Sequence, residues 1–469
     1  MSAQTTDTSA TYLDIKDIIA NHSEPYSSTF SMEAKLHTVD KDLSSLDHIT
    51  VVEMSILRDY VLNMSDYTEI TLLVPIGTFV YDIYPYLNNI EVTLIVNKQL
   101  SKDGKVQRVM ERYKAVYLLD KNKNKPTMSS ASKEDLNQEL PTTLTLQLLD
   151  RAVEVLRIKT TQGSFDHRVS SNKNLTVENF IRSVVSEEAN KILIENKPIL
   201  DHIDIEPVDN KEPLSGLVVP SNTRVVDLTD FLQVKGKGVY NGGIGSYIQN
   251  YGIDPHQTSK GYYAYSLYKP SKYVKAKNKI IIYSPLTSNL SMTDITYKYE
   301  EGLLKIVSHA IPNIDDLKES NLMSTGVGYR MANAASFMKK PVVLTEDGPV
   351  FDRARQNTEI ISKDRVDGVN YAPNKGISSN HFVHTSEILE KSGSYITVEI
   401  SNLDHDFIYP AASVKIVYNG KNNKVEELYG VIHKVAIKYS TPNLDVVSNI
   451  SKGVVGLGSF VVLYIFVEI

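Results

Sequence analysis

Two stretches of the chain have the composition of a site for phosphate or nucleic acid. Residues 236–245 contain five glycines, and the backbone N–H groups of a glycine-rich loop can wrap around a phosphate. Neither Gly-Lys-Ser/Thr nor a helix start follows them, which favours a turn in which glycines take positive φ angles. Residues 269–279 hold five lysines around Tyr273. They could touch nucleic acid, but a strand edge protected by lysines explains them equally well.

Histidines and carboxylates come together in two further places. His381 and His384 would share one face of a helix and could hold a metal ion, but only Glu387 and Glu390 lie nearby as further ligands. We therefore expect ordinary surface histidines. The Asp-His-Asp triplet at residues 404–406 could orient a general base. Because it lies between two predicted strands, we expect a turn, and we predict no catalytic, cofactor-binding or metal-ligating residue.

Composition excludes several other kinds of chemistry. The 469 residues contain no cysteine and no tryptophan, so the chain has no disulfide, no cysteine-bound zinc or iron–sulfur cluster and no thiol nucleophile. No Gly-x-Ser-x-Gly elbow is present. The 56 acidic residues leave a carboxylate pair for glycan cleavage open, but nothing selects a pair. The net charge of −6 argues against broad binding to duplex DNA.

The aromatic content and the two termini indicate an assembly part. The chain has 28 tyrosines, which suit surfaces that are buried against a partner yet partly wet. Residues 1–10 are not followed by the apolar core of a signal peptide. Residues 453–467 are apolar but shorter than the ~20 residues of a membrane-spanning helix. Residues 460–467 instead predict a terminal strand buried on both faces, which a subunit interface would cover.

The secondary-structure pattern predicts a mainly β chain of α+β type. Helices are expected only at residues 14–20, 176–195, 227–234 and 331–338, and most of the remainder alternates with period two. We expect two related small β-barrel or tube-like modules and a mixed middle region with short helices. The expected divisions are an extension at 1–24, a first module at 25–160, the middle region at 161–380 and a second module at 381–469.

An internal duplication supports the two modules. An Ile-Thr-Val strand, a Tyr-Pro pair, a strand, a glycine turn and a Glu-x-Tyr strand follow one another in residues 48–117 and again in 395–433. In this alignment the first copy is longer before its Tyr-Pro pair. Two similar β-modules in one subunit can give a symmetric trimer a pseudo-sixfold ring.

Several segments carry a family resemblance in their pattern and order across most of the chain. They are Val-Val-Glu-Met at 51–54, Thr-Leu-Leu-Val at 71–74, Asp-Ile-Tyr-Pro-Tyr-Leu at 82–87, Glu-Val-Thr-Leu at 91–94, Gly-Leu-Val-Val-Pro at 216–220, the glycine-rich 238–247 and the tyrosine-rich 262–268. In these the chain resembles the baseplate central hub proteins of contractile-tailed bacteriophages, the T-even tail hub family. The resemblance implies a non-enzymatic homotrimer whose ring adapts the sixfold tail tube to the threefold central spike.

The resemblance also implies partners and a location. The partners are the tail tube protein, the central spike protein and baseplate wedge proteins, in a virion tail assembled in the host cytoplasm. We expect at most weak, transient contact with DNA in the lumen and no stable membrane insertion. The loops at 121–139 and 311–364 are expected to be additions to the family's fold.

Sheet edges are expected to pair across the subunits of such a ring. The predicted contact strands are residues 91–96 with 115–119, and 414–417 with 431–437, and the trimer is expected to bury residues 460–467. Two other functions remain open: a tail-associated hydrolase of the cell envelope, and a neck or receptor-binding structural protein.

Overall fold

The computed structural model describes residues 28–38, 49–100, 106–122, 141–168, 175–191, 193–194, 197–236, 238–254, 257–285, 296–300, 302–313, 382, 386, 389–390, 393–419, 425–440 and 455–468. The described chain is mainly β, as predicted. Its strands are β1 Ser28–His37, β2 Thr50–Asp59, β3 Tyr67–Pro75, β4 Glu91–Leu100, β5 Val106–Tyr117, β6 Pro141–Asp150, β7 Thr160–Phe165, β8 Leu193–Ile194, β9 Lys197–Pro198, β10 His202–Ile205, β11 Leu217–Arg224, β12 Ile244–Asp254, β13 Gln257–Ser266, β14 Lys279–Ser284, β15 Thr296–Glu300, β16 Leu303–Val307, β17 Ala310–Asn313, β18 Gly393–Ser401, β19 Ser413–Asn419, β20 Val425–Ser440 and β21 Val455–Glu468.

The helices are few and short. Those of regular α form are α1 Arg151–Ile158, α2 Val177–Asn190 and α3 Leu228–Val234, and a mixed helical cap runs through Ile76–Thr78, Phe79–Ile83 and Tyr84–Tyr86. Single 3₁₀ turns occur at Asp120–Asn122, Val225–Asp227, Pro270–Lys275 and His405–Phe407.

Two of the predicted helices fall on described residues and are present, although the first ends at Asn190 and residues 193–194 of its predicted range form strand β8. The helix expected at 176–195 is α2, whose start is capped by the Thr176 hydroxyl accepting from the Asn179 amide at 3.3 Å. The helix expected at 227–234 is α3, whereas residues 14–20 and 331–338 lie outside the described residues. Helix α1 was not predicted; its cap is Asp150, which accepts from the Ala152 amide at 2.8 Å.

Eight antiparallel strands close into a first barrel. Hydrogen-bonded neighbours run β20, β2, β3, β6, β5, β4, β1, β21, and the pairing of β20 with β21 closes the ring. Alternate side chains of these strands fill the interior, so that Leu36, Ile70 and Leu146 have no exposed surface. The helical cap closes one end by burying Phe79 and Ile83. The first module therefore needs two strands from the C-terminal part of the chain to become a barrel.

Strands β20 and β21 also belong to a second sheet. Its order is β15, β16, β14, β19, β20, β21, β18, β17, and both contacts of β14 are parallel. Strands β14 to β17 fall within the predicted middle region, yet they hydrogen-bond into this sheet. The predicted division into four segments remains a prediction.

The strand order of the two sheets repeats. The series β2, β3, helical cap, β4, β5, β6 has the neighbour order 2-3-6-5-4, and the series β17, β18, 3₁₀ turn, β19, β20, β21 has the equivalent order 17-18-21-20-19. All of these contacts are antiparallel. The two series differ beyond this point, where β4 pairs antiparallel with β1 but β19 pairs parallel with β14.

The topology corrects how the two copies align. Strand β18 corresponds to β3 and not to β2, so Ile396-Thr397-Val398 matches Ile70-Thr71-Leu72. Ile70 stands 14 positions before Tyr84 and Ile396 stands 13 before Tyr409, which removes the apparent extra length of the first copy. The two Glu-x-Tyr segments lie on the equivalent strands β5 and β20, and in both the tyrosine hydroxyl, of Tyr113 and of Tyr429, donates to the glutamate two residues before it. Their surroundings differ, because Tyr113 lines the interior of the first barrel whereas Tyr429 contacts Tyr273.

The predicted pairing of sheet edges between subunits is also wrong for the strands that were named. These strands are already paired along both edges within the chain. Strand β4 lies between β1 and β5, β19 lies between β14 and β20, and β20 is paired along both sides. Strand β21 contains residues 460–467, so the predicted strand is confirmed, but only one of its faces is fully buried: Phe460 is 42% exposed, and Val462 and Tyr464 are half-buried. Its own chain covers the buried face, and Val461, Leu463 and Ile465 have no exposed surface without any partner subunit.

A three-stranded sheet separates the barrel core from a second core. In the order β10, β13, β12, its Tyr247, Tyr263 and Tyr265 pack into the core of the two large sheets. Its Tyr262 and Ala264 face the opposite core, which α1, α2, α3, β7 and β11 complete. The middle region is thus joined to the barrel through a layer of tyrosines.

Two strand glycines offer a matched test of the shared strands. A Cβ on Gly430 of β20 would lie 2.5 Å from Ile465 Cγ2 and 2.7 Å from the Phe466 carbonyl oxygen, whereas a Cβ on Gly458 of β21 meets no atom closer than 4.0 Å. We expect Gly430→Ala to lower the free energy of unfolding by about 1–3 kcal/mol through overpacking. Gly458→Ala should be neutral or slightly stabilising. Urea unfolding measures both, and equal midpoints would contradict the shared packing of β20 and β21.

Candidate functional site

The most concentrated polar chemistry in the described residues is a buried network of charges at the open end of the first barrel. The Lys98 ammonium contacts Asp404 at 3.0 Å and also Asp406. The Arg58 guanidinium lies 3.1 Å from Asp66 and 3.8 Å from Asp406. Arg58 is 1% exposed and Lys98 4%, so these ion pairs are largely shielded from water.

Strand alternation places both cations inside the barrel. Val92 and Leu94 of β4 point inward, and Lys98 has the same register. Met54 and Ile56 of β2 are buried, and Arg58 is the next inward position. A charged residue that continues a buried face must find a partner inside.

The partners come from the 3₁₀ turn between β18 and β19. Asp404 caps this turn by accepting from the Asp406 amide at 3.1 Å. Arg58 Nη1 donates to the carbonyl oxygen of His405 at 2.7 Å. The His405 ring lies 2.5 Å, Nδ1 to hydroxyl oxygen, from Tyr439 of β20. The turn is therefore held by the first barrel and by the shared strand together.

Burial and charge act against each other at these groups. Burial opposes the charge on Lys98, but Asp404 and Asp406 outweigh it and raise the pKa of Lys98. Burial also opposes the charge on Asp406, but the cations around it hold the pKa of Asp406 below its usual range. Burial raises the pKa of Asp404 and lowers the pKa of His405 to about 3. His405 is therefore neutral at pH 7, whereas Lys98 and Asp406 both carry their charges.

The middle region joins the network through β12. The Tyr247 hydroxyl donates to Asp66 at 3.0 Å. The Gln249 side chain donates to the Ile408 carbonyl oxygen at 2.8 Å and accepts from the Tyr60 hydroxyl at 3.0 Å. The network thus ties together the first barrel, the turn before β19 and the three-stranded sheet.

The surrounding cavity is too small for a polymer substrate. It has a volume of about 70 Å³ and is lined by Glu111, Asp150 and Lys260 in addition to the network, whereas ligand pockets span roughly 300–1,000 Å³. Lys260 lies 2.5 Å from Asp150. These carboxylates therefore neutralise cations within the protein, and they do not form the open pair that glycan cleavage needs.

The Asp-His-Asp triplet also has the geometry of a potential metal site. The potential ligand atoms of Asp404, His405 and Asp406 lie within 4.8 Å of one another. The Lys98 ammonium contacts both carboxylates, so the chain itself supplies the positive charge that a metal ion would bring. The arrangement suits an internal ion pair better than a metal centre.

Sequence reasoning found part of this site. The turn at residues 404–406 is confirmed, but its burial and its partners Lys98 and Arg58 were missed, although both cations continue an inward-facing alternation. The described part of the glycine-rich stretch, 236 and 238–245, lies between α3 and β12, with Gly238 and Gly243 at φ angles of 81° and 72°. His381 and His384 lie outside the described residues.

The basic stretch at residues 269–279 is not a strand edge. Most of it forms the 3₁₀ turn Pro270–Lys275. Lys269 lies 2.8 Å from Asp209, and the largely buried Lys272 lies 2.9 Å from Glu206. Two of the five lysines are therefore neutralised within the chain, which weakens the nucleic-acid interpretation.

No protein-family model and no curated protein matches the chain. Similar solved structures include a tail protein from Neisseria meningitidis MC58, with a TM-score of 0.45 and 9% identity over 92% of this chain and 96% of that one. The 43 kDa tail protein of prophage MuSo2 from Shewanella oneidensis matches with a TM-score of 0.43 and 10% identity over 92% of this chain and 96% of that one. A structure of a Francisella PdpA–VgrG complex matches with a TM-score of 0.45 and 9% identity over 94% of this chain and 58% of that one. At this similarity the matches assign neither family nor function.

Loss of the Lys98 ammonium tests the network. We expect Lys98→Met to lower the free energy of unfolding by about 3–5 kcal/mol, because two carboxylates would stay buried without their cation. The matched control is Lys438→Met, which breaks a 3.1 Å pair with Glu53 in which Lys438 is 56% exposed, and it should change the stability by less than about 1 kcal/mol. Urea unfolding compares the two, and a similar small effect of both would contradict a buried network.

Proposed function

We propose that the chain is a non-enzymatic structural subunit of a phage tail baseplate. In this proposal three copies form a hub ring that adapts the sixfold tail tube to the threefold central spike. Each copy supplies two similar β-modules, so a threefold ring carries six similar positions.

The observation that carries the proposal is the repeated strand order within one chain. The series from β2 to β6 and the series from β17 to β21 have equivalent neighbours, and both run through a helical turn at the same point. A subunit with two such units can meet a sixfold partner on one side and a threefold partner on the other without a second kind of chain.

The packing of the described residues supports a structural role. Aliphatic side chains fill the first barrel, a helical cap covers one end and the ion-pair network fills the other. Such a barrel offers rigidity and an outer surface for contacts, whereas the cavity is too small for a cell-wall glycan. No observation favours the alternative of a cell-envelope hydrolase.

The proposed partners follow from the family resemblance of the sequence. They are the tail tube protein, the central spike protein and baseplate wedge proteins, in a virion tail assembled in the host cytoplasm. Contact with DNA is proposed to be weak and transient at most. Among the described helices, none is long and apolar enough to cross a membrane.

The subunit contacts are proposed to use the outer faces of the sheets, because the strands first expected to pair edge to edge are already paired within the chain. Large apolar side chains are exposed on such faces: Met110 is 64% exposed on β5 and Phe460 is 42% exposed on β21.

The mass of the assembled protein tests the proposal. We expect native mass spectrometry and light scattering to give a trimer of about 158 kDa, three times the 52.5 kDa of one chain. A sixfold or twelvefold ring would favour a neck protein instead. A dimer, or a chain that remains monomeric even at high protein concentration, would contradict the hub. A zymogram on purified cell wall is the control for hydrolase activity and should show no cleared band.

A further inference from the structure

Lys98 shares its ammonium group between two carboxylates in a place that is closed to bulk water. Its Nζ lies 3.0 Å from Oδ1 of Asp404 and also contacts Oδ2 of Asp406. All three residues are at most 4% exposed. Phe30 of β1 stands directly opposite Lys98 in the pairing of β1 with β4, and it is buried as well. An amine and two carboxyl groups are thus held together at fixed positions beside an apolar neighbour.

The two carboxylates differ in their other partners. Asp406 also lies 3.8 Å from Arg58, whereas among the described residues the ion pairs of Asp404 involve Lys98 alone. Burial raises the pKa of Asp404, and the charge of Asp406 acts in the same direction while Lys98 opposes it. Asp404 is therefore the carboxyl group that takes up a proton more readily, and Asp406 is the one that stays a carboxylate and can act as a base.

The backbone of the turn is placed to assist an attack on Asp404. The Asp406 amide donates to the same Oδ1 atom at 3.1 Å. A hydrogen bond to this oxygen stabilises the negative charge that develops on it when a nucleophile adds to the carboxyl carbon, Cγ. Because Cγ is bonded directly to Oδ1, the Lys98 nitrogen needs only a short approach to reach it.

We propose that Lys98 and Asp404 condense into an intramolecular isopeptide bond, with the Asp406 carboxylate as the base that takes the ammonium proton. The reaction occurs once in each chain and acts on no other molecule. It does not depend on assembly into a hub.

The proposed step balances within the three side chains. The Lys98 ammonium gives one proton to the Asp406 carboxylate, and the freed lone pair forms the bond to Cγ of the Asp404 acid. The tetrahedral intermediate then expels the Asp404 hydroxyl group, which takes a second nitrogen proton and leaves as water. The third proton stays on the new amide, and Asp406 returns its proton to solvent. One C–N bond replaces one C–O bond, and no oxidant or other reactant is consumed.

Position and burial both favour the amide. Groups held at contact distance react as if at an effective concentration on the order of 10⁵ M or more. The amide also removes the buried charges of Lys98 and Asp404 together, and Asp406 keeps Arg58 as a neighbouring cation. The cavity that Lys98 and Asp406 line has a volume of about 70 Å³, which is enough for the expelled water.

Other ion pairs of lysine are open to solvent. In the pair of Lys260 with Asp150 the side chains are 24% and 17% exposed, and in the pair of Lys438 with Glu53 they are 56% and 42% exposed. Water solvates both charges of such a pair, so the neutral amine and the neutral acid are rarely present together. We therefore expect a bond at Lys98 and none at Lys260 or Lys438.

Mass spectrometry of the denatured full-length protein tests the bond, with Lys98→Arg as the matched control. Arginine keeps a positive charge between the two carboxylates, but its guanidinium group stays protonated and does not attack. After correction for the substitution, we expect the native chain to be lighter than the Lys98→Arg chain by one water molecule. Tandem mass spectrometry of a protease digest should find one branched peptide that joins residue 98 to residue 404.

Two results would overturn the proposal. One is a native chain that keeps its full mass after purification and prolonged incubation at pH 7.5. The other is an equal loss of water from the Lys98→Arg chain, because dehydration would then occur without the amine. The first of these needs no variant, so the proposal stays testable even if Lys98→Arg fails to fold.

Two further variants test the assigned roles in the soluble, folded protein. In Asp404→Asn the leaving group is an amine, so we expect the same branch with the loss of one ammonia molecule in place of water. A loss of water from this variant, or a branch at residue 406, would overturn the assignment of Asp404. Asp406→Asn removes the base and should slow formation of the bond by about 100-fold or more. A complete bond in that variant would overturn the role of Asp406.

Discussion

The architecture depends on one positive charge buried between distant parts of the chain. An isolated ammonium inside a protein costs several kcal/mol, so Lys98 on β4 is tenable only because Asp404 and Asp406 reach it from the turn before β19. Arg58 and Asp66 extend the same network to β2 and the loop that follows it, and Tyr247 extends it to the middle region. The strands of the first barrel and that turn therefore cannot separate without leaving charges unpaired.

Strand sharing makes the same connection through the backbone. The first barrel closes only through β20 and β21, which also form the centre of the second sheet. The two repeats consequently form one rigid unit and are not two separate domains joined by a linker. Rigidity of this kind suits the proposed function, in which each subunit would hold two modules at fixed positions in a ring.

Local patterns in the sequence predict local structure well. The cap at Thr176 and the helical spacing after it predict α2, and the apolar residues 460–467 predict the strand β21. The sequence pattern does not predict which strands pair with one another, because all strands share the same period of two. The sequence pattern therefore matches Ile396-Thr397-Val398 with β2, whereas the topology equates β18 with β3. The inward register of Lys98 can be seen in the sequence, but its partner Asp404 lies 306 residues away.

Electron cryo-microscopy of the assembled protein tests the central claim most directly. The account predicts a threefold ring in which the two modules of each chain occupy six similar positions at one radius, with continuous density from β20 and β21 joining the two modules within each subunit. Modules of one chain at clearly different radii, or an assembly without a ring, would contradict it.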